Sequence, residues 1–165
     1  MADEIYEFGM SDFRIISSNF MLKMDKKYDL ANIHDIEIAF NTKYEFVVAS
    51  NTLNLSMKIE ITGDEMPFTL AIEALSTFEF NNKVEDPTML GQVAEINCAS
   101  ITFPYLREVV ADTVRRGGLP PLHLPAMNFV DMYAQKQKRI ATSDTATEER
   151  KTSGPSDKKR RKSKT

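Results

Sequence analysis

Residues 102–133 read TFPYLREVVADTVRRGGLPPLHLPAMNFVDMY, and their punctuation decides how the second half of the chain folds. Phe103-Pro104 predicts a helix start, because proline at the first helical position lacks only an N–H that would be unpaired anyway. Leu106, Val109, Val110, Thr113 and Val114 recur at helical spacing and give that helix one apolar side. Glu108 and Asp112 stand early and Arg115 and Arg116 in the last turn, as the helix dipole favours. Gly117-Gly118 supplies the left-handed residue that ends it. In Leu119-Pro120-Pro121-Leu122-His123-Leu124-Pro125 each proline pushes its predecessor into extended geometry, so this connector is barred from helix. Ala126, Met127, Phe129, Val130, Met132 and Tyr133 then begin a second amphipathic helix.

Upstream, the period changes to two. Residues 13–24 predict a strand with Ile16, Phe20, Leu22 and Met24 on one parity. Residues 29–41 predict a crossover segment whose end is extended, with Ile36, Ile38 and Phe40 on one face. Residues 44–62 read as a single strand: Val47, Ala49, Leu53, Leu55, Met57, Ile59 and Ile61 face one way, and Asn54, Ser56, Lys58 and Glu60 the other. Gly63-Asp64 opens a hairpin loop reaching Met66. Residues 68–80 return, with Phe68, Leu70, Ile72, Ala74, Ser76, Phe78 and Phe80 aligned. Asp86-Pro87 opens a helix carrying Met89, Leu90, Val93 and Ile96. Strands first and helices last give an α+β class, an antiparallel sheet with helices packed on one face.

Charge divides the chain. Of 21 Lys/Arg and 24 Asp/Glu, residues 136–165 hold 11 and 4, which leaves 10 and 20 in an acidic body. Residues 141–165 contain no aromatic and no large apolar side chain, so they cannot offset the entropy of ordering and are expected to be a disordered basic tail. Residues 1–140 then form one domain. The single cysteine, Cys98, rules out a disulfide framework within the chain and suits a reducing cytoplasm. No apolar run approaches the roughly 20 residues of a membrane span, and Met1-Ala2-Asp3-Glu4 does not resemble a signal peptide, so membrane insertion is not expected.

No constellation for covalent chemistry emerges, and neither an enzyme nor a cofactor is expected. His34 lies beside Asp35, but neighbouring strand residues point to opposite faces. His123 sits among connector prolines and reads as a polar loop residue. Two histidines and one cysteine show no close-spaced metal-ligand motif, and no Gly-rich phosphate loop is present. The basic run at 158–164 reads first as a solvated tail. Contact with nucleic acid or an acidic partner is a lesser reading, since no aromatic is interleaved for stacking. Nine methionines and ten phenylalanines without tryptophan are more informative. Methionine suits surfaces that take varied partners, although most of these side chains would line an ordinary core. Phe46, Val47 and Val48 are apolar on both parities, which leaves a face for a second subunit or for binding.

FPYLRE followed by RRGGLPPLHLPAMNF resembles the signature of SecB, the bacterial export chaperone family, and the likeness spans roughly residues 13–135. The resemblance implies a four-stranded antiparallel sheet with helices on one side, assembled as a homotetramer that is a dimer of dimers. It implies an ATP-independent holdase that keeps unfolded polypeptides, such as preproteins, in apolar surface grooves. By position, the groove would take Ile36, Ile38 and Phe40 from the crossover segment and Phe103 and Tyr105 from the helix start. Leu119, Leu122 and Leu124 would come from the connector, and Met127 and Phe129 from the last helix. Leu70, Ile72 and Ala74 match a subunit contact. Export members dock on the motor ATPase SecA through an acidic patch. The matching positions here are Asn19, Lys23 and Ala71, none of them acidic, and the tail is basic, which argues against that docking. Export-independent relatives hold an antitoxin until it folds, so a dedicated antitoxin chaperone is the alternative.

Overall fold

The computed structural model describes residues 7–24, 36–84 and 89–152, with backbone alone from 141 onward. Four strands, β1 (Phe8–Leu22), β2 (Glu37–Val47), β3 (Thr52–Thr62) and β4 (Phe68–Phe80), form one antiparallel sheet. Their order is β1-β4-β3-β2, so the segment after β1 crosses to the far edge and the rest is a meander. Three helical pieces follow. α1 (Leu90–Gln92) runs through a π-helical stretch (Val93–Cys98) into α2 (Ala99–Arg116), and the residues at both junctions keep right-handed helical dihedrals. α3 (Phe129–Thr152) comes last. By backbone contacts the chain divides into residues 1–129, which hold the sheet, and residues 130–165.

The core lies on one sheet face. Leu53, Leu55, Met57, Ile59 and Ile61 of β3 and Phe68, Leu70, Ile72, Ala74 and Phe78 of β4 are essentially fully buried. Leu106, Val110 and Val114 of α2 are buried with them, while Val109 and Thr113 are half-buried at the flank of the stripe. One polar pair sits in this layer: Thr102 Oγ1 donates to Ser76 Oγ at 3.0 Å, both residues buried. The opposite sheet face is polar and half-exposed. It carries Ser56, whose hydroxyl donates to Glu73 Oε1 at 2.6 Å, Thr77, which donates to Asn54 Oδ1 at 2.9 Å, and the Lys58–Glu60 ion pair at 2.7 Å. The apolar second face expected from the sequence is therefore absent from the middle of the sheet, where Leu75 is the one large apolar exception.

Several expected boundaries move, each for a local reason. β1 starts at Phe8, not at 13, because Phe8 stacks on Phe80 with ring centroids 5.2 Å apart. Its parity switches twice. Phe8 and Met10 pair with Phe80 and Phe78, Phe13 and Ile15 with Ser76 and Ala74, and Ser18, Phe20 and Leu22 with Ile72, Leu70 and Phe68. Extra residues at Ser11 and Ile16 bulge out and carry the core face from even to odd and back. The single strand expected over 44–62 is two strands joined by a turn at residues 48–51. Asn51 takes φ 53°, and its side-chain amide donates to Phe80 O at 2.7 Å and Asn82 O at 3.0 Å, which holds the left-handed residue in place. The loop after β3 extends from 63 to 67.

Pro104 does not start a helix. The helix is already formed at Ala99, and Pro104 lies inside α2, where it lacks a donor for the carbonyl of Ser100. The preceding turns are π-type: the Ala99 N–H reaches Ala94 O, five residues back. The end of α2 follows expectation. Gly118 N–H donates to Arg115 O at 3.0 Å and Leu119 N–H to Val114 O at 3.3 Å, with Gly118 at φ +81°. Asp112 bridges both terminal arginines, and its hydrogen bonds to Arg115 and then Arg116 hold its carboxyl below the usual range. α3 begins at Phe129, not 126, and its backbone runs to Thr152, twelve residues into the segment expected to be disordered. That segment has no proline or glycine before Gly154-Pro155, so nothing local stops the helix sooner. Residues 153–165, and with them the basic run, lie outside the described residues, as do His34 and the Asp86-Pro87 helix start.

The two glycines should differ in how they fail. A Cβ on Gly117 would lie 2.5 Å from Phe20 Cε1 and closer still to Cζ, and that ring is stacked on Phe68 at 5.4 Å. Gly117→Ala is expected to cost about 1–3 kcal/mol through displacement of Phe20. Gly118→Ala should cost about 1–2 kcal/mol through its left-handed backbone alone. Gly9→Ala, with nothing within 4 Å, should stay within about 0.5 kcal/mol of the parent in urea denaturation.

Candidate functional site

The sheet's second edge carries the site. β2 pairs with β3 so that Ile38 opposes Ile61 and Phe40 opposes Ile59, which puts both β2 side chains on the core face. β2 is an edge strand, so neither is fully covered: Ile38 is 37% exposed and Phe40 half-buried. α2 brings Phe103 over the same spot. Past the α2 cap, the proline-ruled connector carries Leu124, Pro125 and Met127 back across it. Ile38, Phe40, Ile59, Phe103, Leu124, Pro125 and Met127, all of them apolar, line a shallow, half-open cleft whose free space is about 10 Å³.

Three rings fix the cleft's back wall. Phe40 and Phe103 meet edge to face at 6.1 Å, as do Phe103 and Phe129 at 5.6 Å, and Phe40 and Phe129 meet at a tilt at 5.8 Å. Such pairs contribute about 0.5–1.5 kcal/mol each beyond the area they bury. Phe103 and Phe129 are buried and Leu124 is 2% exposed, so this wall is rigid. Ile38 and Met127 form the open rim. Free space of about 10 Å³ holds one water at most, so an apolar side chain would rest against this apolar surface rather than inside it.

Of the ten groove positions expected from the sequence, Ile38, Phe40, Phe103, Leu124 and Met127 line this cleft, and Phe129 buttresses it. The other four do not line it. Ile36 lines a polar trough with Lys23, Glu37, Thr62, Gly63, Asp64 and Thr69. Tyr105 turns toward the opposite edge and packs its ring against Phe13 of β1 at 5.5 Å. Leu119 and Leu122 are half-buried in the connector. Sequence reasoning missed Ile59, the floor, and Pro125. The alternation that aligned Ile59 with Leu55 and Met57 placed it on the right face, but its partner across the strand pair was not legible. Leu70, Ile72 and Ala74 are 0–1% exposed beneath the helix layer, so in the single chain they offer no surface to a second subunit.

Among the described residues no group of three or more His, Cys, Asp or Glu side chains gathers as a metal site. His123 lines an open cleft on the outer side of α2 with Arg107, Glu108, Asp112 and Arg115. Cys98 is fully buried, and burial pushes its thiol up to about 12. Native protein should therefore resist iodoacetamide at mildly alkaline pH and become alkylated once unfolded in denaturant, as intact mass would show. Rapid alkylation of folded protein would contradict this burial.

Residues 23–140 match the family described as Preprotein translocase subunit SecB. The chain is 42% identical over 84 residues to Protein-export protein SecB of Acidovorax sp. (strain JS42), covering 51% of this chain and 55% of that protein. It is 34% identical over 102 residues to Protein-export protein SecB of Nitrosococcus oceani, covering 60% and 61%. The chain spans about half the length of such curated relatives. Among solved structures it shares its fold with the Mycobacterium tuberculosis Rv1957 SecB-like chaperone, solved in complex with a ChAD peptide from the Rv1956 HigA1 antitoxin. The TM-score is 0.62 at 21% identity, over 73% of this chain and 90% of that one. With 118 of its 165 residues inside the matched segment, 23–140, and the four-stranded sheet in place, this chain belongs to the SecB family.

Proposed function

We propose that this protein is an ATP-independent holdase that binds non-native polypeptides by laying their apolar side chains against the β2 edge cleft. The observation that carries this reading is the cleft itself: an all-apolar, half-open recess on a rigid aromatic wall, in a member of the SecB family. A recess with no polar lining side chain reads hydrophobicity rather than sequence, and repeated weak contacts along one unfolded chain add through their linkage. No helix among the described residues is long and apolar enough to cross a membrane, which is compatible with work in the cytoplasm. Nothing in the mechanism calls for a nucleotide, a metal or covalent chemistry.

The assembly we propose is the homotetramer, a dimer of dimers. Since Leu70, Ile72 and Ala74 are spent in the core, the surfaces available to a second copy are the exposed apolar residues of β1 and α2, namely Ile15, Ile16, Met21, Ile101 and Tyr105. Single Asp substitutions at Ile16 and Tyr105 should lower the mass measured by light scattering.

Delivery to SecA is not part of this reading. Asn19 pairs with Ala71 on the polar sheet face, where a shallow trough carries Glu60 as its one charged residue. A dedicated antitoxin chaperone is the second reading, favoured by the antitoxin peptide bound to the structurally similar chaperone. A pull-down decides between them: one stoichiometric partner supports the antitoxin reading, and a broad set of unfolded clients supports the general holdase.

Ile38→Asp tests the cleft. Ile38 stands at the rim with over a third of its surface in water, so a charge there should spare the fold. It should weaken binding of an unfolded client on the order of tenfold or more, because the client's apolar group would meet an unpaired carboxylate. Adding Phe40→Asp should abolish suppression of client aggregation. Unchanged aggregation suppression by Ile38→Asp, with a native circular dichroism spectrum, would sink the assignment.

A further inference from the structure

We propose that Met127 is an oxidative modification site, and that its sulfoxide shuts the cleft to clients. The inference rests on the cleft being the client site. Nine methionines stand in the chain, and the structure grades those it describes by access. Met57 and Met66 are fully buried. Met24, Met21 and Met89 are 87%, 61% and 44% exposed, all away from the cleft. Met127 is half-buried and is the one methionine that lines the cleft.

The reaction needs a hydroperoxide, of which hydrogen peroxide is the simplest. The thioether sulfur attacks one peroxide oxygen, the O–O bond breaks, and an S=O bond forms. Sulfur loses two electrons, and the other oxygen leaves as water. The product is a polar, chiral group in place of a flexible apolar one, and reductases can restore it.

The side chains that line the cleft offer that oxygen no hydrogen-bond donor. A sulfoxide is a hydrogen-bond acceptor and needs a donor. The side chains of Ile38, Phe40, Ile59, Phe103 and Leu124 offer none, and Pro125 lacks even a backbone N–H. The oxygen must either sit unpaired in the recess or draw Met127 out toward water. The first penalises an apolar occupant and the second removes part of the rim. A bound client would in turn cover Met127 and slow its oxidation.

The test uses the full chain, hydrogen peroxide and a permanently unfolded, fluorescently labelled polypeptide as client. Peptide mass spectrometry reads oxygen addition at each methionine, and anisotropy reads affinity. Met127 should oxidise more slowly than Met24 and faster than Met57, and client should slow Met127 but not Met24. Oxidation should weaken client binding on the order of tenfold. Met127→Leu, whatever its starting affinity, should lose nothing further on peroxide treatment. If untreated protein fails to bind the client, the proposed function falls. If untreated protein binds but peroxide weakens Met127→Leu as much as the parent, or Met127 oxidises no faster than Met57, the modification site is overturned.

Discussion

The width of one helix against the width of four strands governs this molecule. A helix with its side chains is about 10–12 Å across, and neighbouring strands lie about 4.8 Å apart, so one helix covers roughly two strands. α2, packed on β4 and β1, and the π-helical run before it, packed on β3, supply that cover. The two central strands, β3 and β4, show strict alternation of buried and half-exposed residues along most of their length. The two edges, β1 and β2, contain no fully buried residue at all. Each edge still presents apolar side chains on the core face, since the sheet's chemistry does not stop where the helix does. The β2 edge becomes a cleft because the connector and Phe129 return over it, and the β1 edge keeps Ile15 and Leu22 partly in water.

The sequence told much of this where one residue spacing serves one element. The alternation over 68–80 and over 53–61 gave the core face residue by residue, because both strands are central and neither bulges. It failed where the geometry departs from a fixed period. β1 inserts a residue twice, so its core positions are even, then odd, then even, and no single parity can describe them. Residues 44–62 kept an apparent parity through a turn, because Val47 and Ala49 happen to align with Leu53. The turn was written only in Asn51, whose left-handed backbone is held by carbonyls of residues 80 and 82, a contact the sequence does not display. Pro104 misled for a related reason. A proline reads as the first residue of a helix, where its missing N–H costs nothing, but here the helix arrives already formed through π turns.

The candidate cleft was legible as a set of residues rather than as a place. Ile38, Phe40, Phe103, Leu124 and Met127 come together from three elements, and the shared feature is aromatic or aliphatic bulk. Tyr105, two residues from Phe103, was assigned with it, but helix geometry separates residues two apart by about 200°, at 3.6 residues per turn. Tyr105 therefore meets Phe13 at one edge while Phe103 meets Phe40 at the other.

What holds Phe103 on the cleft side is the residue before it. Thr102 and Ser76 form a hydroxyl pair in a layer that is mostly apolar among the described residues, and both are fully buried. An apolar helix face alone would tolerate small slides and rotations over the flat side of a sheet, because dispersion contacts are individually weak and non-directional. A buried hydroxyl left without its partner costs about 1–3 kcal/mol, and here any slide would strand two. The pair thus selects one position and one rotation of α2 over β4. Phe103 is adjacent in sequence, so the same choice turns it toward Phe40 and Phe129 and sets the back wall of the cleft. The shape of an entirely apolar recess is in this way fixed by one polar contact outside it.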